Sequence, residues 1–104
     1  MFLRSLLNEN IKNHHDEMTA SEYTFQGYVY QTSGDFIKAI TAYTKDLKLD
    51  STTANVYILR GVAYQSQGKF DEAIADFTKA IEVEPKNALA YNNRGGVYHT
   101  HLTI

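Results

Sequence analysis

Apolar and small residues recur along this chain at helical spacing, and the pattern breaks at regular intervals. Tyr23, Gly27 and Tyr30 lie at i, i+4 and i+7 and predict a helix over residues 20–33, in which Gly27 admits a close neighbour. Gly34 and Asp35 end it. Phe36, Ile37, Ala39, Ile40, Tyr43 and Leu47 then mark the apolar face of a helix over 36–49, with small Ala39 at the expected crossing point. The two predict an αα-hairpin. The plan recurs with a helix at about 54–67, a turn at Gly68 and Lys69, and a helix at about 71–84 that Asp71 is expected to N-cap and Pro85 to end. A further helix is predicted from Ala88 to about His101. Upstream, Leu3, Leu6, Leu7, Asn10, Ile11 and His14 predict a short amphipathic helix over 3–18, with Thr19 or Ser21 capping the helix that follows.

A shift of 34 residues superimposes these segments. Ala20, Tyr23, Gly27, Tyr30, Gly34, Phe36, Ala39, Ile40 and Tyr43 fall on Ala54, Tyr57, Gly61, Tyr64, Gly68, Phe70, Ala73, Ile74 and Phe77. Ala88, Tyr91, Arg94, Gly95 and Tyr98 repeat Ala54, Tyr57, Arg60, Gly61 and Tyr64. This period, with its spacing of aromatic, Gly, Tyr, turn Gly, aromatic, Ala and late Pro, resembles the tetratricopeptide repeat over residues 20–101. The resemblance implies an all-α fold, a right-handed α-α superhelix in which antiparallel helix pairs stack as a helical-repeat solenoid. It divides the chain into an N-terminal helix at 1–19 (a degenerate half-repeat or cap), repeats at 20–53 and 54–87, and the first helix of a truncated third repeat at 88–104.

Composition removes several alternatives. With 10 basic against 12 acidic residues and a net charge of −2, the chain has no field to hold a polyanion, so nucleic acid is not an expected partner. It has no cysteine, which excludes disulfides and thiolate chemistry and leaves the cytoplasm as the default location. The opening MFLRSLL is far too short to span a bilayer, so no membrane insertion is expected.

Nor does the chemistry of the side chains point to an enzyme. His14 and His15 are adjacent, and His99 and His101 are two apart; neither pair has the i, i+4 placement that lets two imidazoles share a metal on a helix. Asp71 and Glu72 read as helix-start residues rather than an acid/base pair. No catalytic residue, metal or cofactor is therefore expected. Arg60 and Arg94 recur one repeat apart beside the core stripe, and a guanidinium there needs a partner. Asp76 is the natural candidate, in a structural ion pair that links the first helix of a repeat to the second or one repeat to the next; the alternative is that both arginines present charge to a ligand.

What remains is recognition. The resemblance implies a non-enzymatic protein–protein interaction module that grips a peptide or protein segment on a concave face built from the first helix of each repeat. Carried over residue by residue, the partner-binding places are Thr24, Phe25, Tyr28, Asn55, Ile58, Leu59, Gln65, Leu89, Asn92 and Asn93. Some members of the family clamp a chaperone's C-terminal carboxylate there with Lys, Asn and Arg. The corresponding Thr24, Tyr28, Leu59, Leu89 and Asn93 lack that chemistry except at Asn93, so the expected partner is an uncharged or partly apolar segment. The alternative is a structural or oligomerisation segment, a homo-oligomer formed through an uncovered terminal helix at Tyr91, Val97, Tyr98 and Leu102.

Overall fold

A computed structural model describes residues 18–103, with side chains as far as His101; the helix expected over 3–18 and the side chain of Leu102 lie outside the described residues. All regular structure among the described residues is helical: α1 (Ala20–Thr32), α2 (Phe36–Leu49), α3 (Ala54–Ser66), α4 (Phe70–Val83) and α5 (Ala88–Thr103). Successive helices pack on one another, and α3 also touches α1 and α5. The result is an all-α helical-repeat solenoid with the odd-numbered helices side by side.

Local chemistry sets each helix boundary. Thr19 opens α1 with a reciprocal capping box: its Oγ1 accepts from the Glu22 N–H at 3.2 Å, and Glu22 Oε1 accepts from the Thr19 N–H at 3.2 Å. The hairpin turns pass through Gly34 at φ 86° and Gly68 at φ 74°, a left-handed conformation that favours glycine. Asp35 Oδ1 then caps α2 by accepting from the Lys38 N–H at 3.1 Å. In the second hairpin the corresponding residue is Lys69, which has no side-chain acceptor, and α4 starts at Phe70. Asp71 is therefore not the N-cap; it sits inside the first turn, where its charge still faces the positive end of the helix.

Between the hairpins, Asp50 builds the connection by accepting from the Thr52 N–H and from the hydroxyls of Thr52 and Thr53. These bonds hold its carboxyl below the usual aspartate range. The later connection ends at Asn87, whose Oδ1 accepts from the Ala90 N–H at 3.0 Å as α5 begins.

Each hairpin closes on one aromatic ring. Tyr43 and Phe77, equivalent residues of α2 and α4, are fully buried, and each is seated against a glycine of the preceding helix. A Cβ at Gly27 would lie 2.6 Å from Tyr43 Cε1, and one at Gly61 would lie 2.6 Å from Phe77 Cε1. Fully buried Ala39 and Ala73 lie one turn before the rings, which brings the paired helices together. Burial also pushes the Tyr43 phenol up to about 12, helped by nearby Tyr28, and its hydroxyl donates to Gln31 Oε1 at 2.6 Å.

Candidate protein-interaction surface

The sequence-predicted binding residues divide by exposure. Phe25 (71% exposed), Tyr28 (54%) and Leu89 (54%) present large apolar surface, and Asn55 and Asn92 are also exposed. Leu59, Gln65 and Asn93 are half-buried. These residues lie on α1, α3 and α5, the three helices that run side by side.

Ile58 is a correction. It is only 4% exposed, because it completes the stripe Ala54, Tyr57, Ile58 and Gly61 that packs into the core. A partner on the surface does not reach it. Thr24, the equivalent residue of the first repeat, is half-buried, and its hydroxyl donates to a carboxylate oxygen of Asp46 on α2. The place corresponding to Asp46 in the second repeat is Ala80, which shares the core cluster with Ile58. One repeat thus joins its two helices here by a half-buried hydrogen bond, the other by apolar contact.

Asp46 was missed by the sequence reading because its charge looked like one more polar helix position. It is 2% exposed, and with Asp50 it lines a cavity of about 210 Å³ beside Ser21, Thr24 and Asn55. This part of the surface is acidic. Burial raises the Asp46 carboxyl above the usual range, the Thr24 bond opposes that shift, and Asp50 adds to it. A carboxyl whose pKa is raised by folding binds more protons folded than unfolded, so its contribution to stability is fully present below about pH 3.9 and is lost as pH rises through the raised value. Asp46→Asn removes that loss. Its stability relative to the parent is expected to improve between pH 4 and pH 7, as read from urea unfolding at each pH; an unchanged difference would show that Asp46 ionises in the fold as freely as in the unfolded chain.

The expected partner of Arg60 is in place. Arg60 Nε and Nη2 donate to Asp76 at 2.8 and 2.7 Å, and Nη1 donates to Thr44 Oγ1 at 3.1 Å. One guanidinium therefore ties α3 to α4 within its hairpin and to α2 in the preceding one. The hydrogen bonds to Asp76 hold the Arg60 pKa above its ordinary value. Arg94 keeps the backward half of this arrangement, donating to Thr78 Oγ1 at 3.3 Å and lying 5.4 Å from the Tyr91 ring centre.

On α5, Tyr91 (45%) and Tyr98 (46%) are exposed, as the self-association reading expects of them. Val97 is not. It is fully buried because Ala90, Arg94 and Val97 form the stripe that α5 turns toward α4. His101 lies over Phe70 with ring centres 5.5 Å apart, a packing contact. No group of three or more His, Cys, Asp or Glu among the described residues is placed to hold a metal, and no described helix is long and apolar enough to cross a membrane.

Comparison with known proteins agrees with this architecture. Two patterns described as the tetratricopeptide repeat match residues 54–87 and 23–53. The TPR2B domain of yeast Sti1, solved in complex with pHsp70, is 34% identical; the alignment covers 81% of this chain and 67% of that one with a TM-score of 0.77. The chain belongs to the tetratricopeptide repeat family.

Other tetratricopeptide structures are similar. The second such domain of Spaghetti (RPAP3), bound to the HSP90 peptide SRMEEVD, is 26% identical over 88% of this chain and 84% of its own, with a TM-score of 0.77. MamA is 28% identical, with a TM-score of 0.78, and the matched region is 80% of this chain and 48% of MamA. No curated protein sequence matches the chain.

Proposed function

We propose that this tetratricopeptide chain is a non-enzymatic protein-interaction module whose concave face, formed by α1, α3 and α5, binds an uncharged or partly apolar peptide segment. The observation that carries this reading is that α1, α3 and α5 expose large apolar side chains, Phe25, Tyr28 and Leu89, together with the side-chain amides of Asn55 and Asn92. Aromatic and aliphatic surface supplies apolar area, and each amide offers both a donor and an acceptor to an extended backbone.

The complexes with the HSP90 peptide and with pHsp70 support peptide or protein binding as the general role. Their ligand chemistry does not carry over. SRMEEVD is acidic, whereas the groove places here hold no Lys or Arg, and Asp46 and Asp50 would face the ligand's carboxylates near Asn55. Desolvating like charges without a cation costs binding free energy.

Tyr28→Ala and Asn92→Ala test the proposal. Each is expected to weaken capture of peptides selected from a display library by about ten-fold, or 1.4 kcal/mol, while thermal unfolding stays close to the parent because both side chains are exposed. Selected peptides dominated by Asp, Glu and a free C-terminal carboxylate would reject the uncharged-ligand reading.

A further inference from the structure

Asp46 and Asp76 are the buried carboxylates among the described residues, and their surroundings differ. Asp76 receives two nitrogens of the Arg60 fork, whose third donates to Thr44 Oγ1. Asp46 receives only the Thr24 hydroxyl, on Oδ2; among the described residues no donor reaches its Oδ1 and no cation pairs with it. A carboxylate removed from water is costly until its charge and its remaining lone pairs are matched. Asp46 is half-matched.

The cavity of about 210 Å³ that Asp46 lines lies where α2 ends and where α1 and α3 begin. Asp50, the C-cap of α2 four residues after Asp46, adds a second carboxylate, which its bonds to Thr52 and Thr53 hold in the ionised form. No basic side chain lines the cavity, and Ser21 and Asn55 carry its lining out to exposed surface. We infer that this cavity receives the guanidinium of an arginine in the bound peptide, with Asp46 and Asp50 as its carboxylate partners and the Thr24 oxygen as a further acceptor. The Arg60 site shows the same chemistry within the chain, a buried aspartate and a threonine oxygen around one planar fork. A lysine ammonium is a point charge, whereas the fork can donate to two carboxylates at once. Asn55 belongs both to the cavity and to the proposed binding face, so the arginine would be a single cationic anchor in an otherwise uncharged segment. Only the carrier of the arginine rests on the proposed function; the cavity and its charge do not.

N-Acetyl-arginine methylamide is the probe, titrated into the full isotopically labelled chain at neutral pH and followed by amide chemical shifts. The citrulline analogue, neutral and of nearly the same shape, is the control. Saturable shifts are expected at Ser21, Thr24 and Asn55, and the citrulline compound should bind at least about ten-fold more weakly. Asp46→Asn should weaken the arginine probe by about ten-fold and leave the fold intact, because the asparagine oxygen still accepts from Thr24. Asp50→Asn keeps an acceptor for Thr52 and should weaken the probe to a similar extent.

Failure of the arginine probe to saturate overturns the assignment, as does equal binding of the citrulline compound or undiminished binding to Asp46→Asn. Displacement of the probe by calcium chloride, but not by sodium chloride at the same ionic strength, would give the cavity to a divalent cation and overturn it too. A single-residue probe separates this result from the peptide reading. Peptide capture that depends on Tyr28 beside an unresponsive cavity rejects the arginine alone, whereas a responsive cavity without peptide capture rejects the proposed function and leaves the guanidinium site standing.

Discussion

Asp76→Ala is expected to destabilise the chain by about 3 kcal/mol in urea unfolding, the low end of the range for breaking a buried ion pair. Asp76 is 5% exposed and receives both donors of the Arg60 fork, so its removal leaves a guanidinium that is itself largely covered. The remaining bond to Thr44 and the 18% exposure of the Arg60 side chain moderate the cost. The loss should come mostly from the stranded cation rather than from the net worth of the pair. The first repeat indicates how to separate the two. There the equivalent places hold Gln26 and Ala42, which need no ion pair. Arg60→Gln/Asp76→Ala should therefore recover about 1–2 kcal/mol relative to Asp76→Ala alone. A double variant no more stable than the single one would mean that the attraction itself, and not the orphaned charge, carries the energy.

Phe77→Ala is expected to cost about 4 kcal/mol, from lost apolar burial together with the cavity left between α3 and α4. The ring is fully buried and in contact distance of Gly61, so the surrounding helices cannot close the space without moving together. The same contact makes Gly61→Ala destabilising by about 1–3 kcal/mol, because the added Cβ would lie 2.6 Å from the rigid edge of the ring. Combining the two should be less harmful than their sum, since the methyl group enters the space that the ring vacates. Additive losses in the double variant would show that the glycine and the ring do not share a seat.

Much of this was legible in the sequence for one reason: the repeat prints each packing position more than once. Five helices, their turns and the family follow from positions that recur at 34-residue offsets, and even the Arg60–Asp76 pair was readable as a buried cation in need of an acid. Recurrence could not say which neighbour a face would meet. Ile58 and Val97 looked available because one lies at a groove place and the other on a terminal helix, yet both are covered by packed helices. Asp71 looked like a cap because the turn was placed one residue late; the Lys69 N–H bonds to Tyr64 O, and the helix starts at Phe70.

The sequence by itself determined the helical period and the recurring positions of the glycines, small residues and aromatics, since these are local patterns repeated along the chain. Only the tertiary structure decided which side chains remain exposed, that Asp46 is buried against Thr24, and that Tyr43 and Phe77 seat on Gly27 and Gly61 while nothing among the described residues lies over Gly95. The physical reason is that exposure belongs to pairs of helices: a stripe is core or surface according to what lies across from it, and residues with the same local pattern meet different neighbours in each repeat.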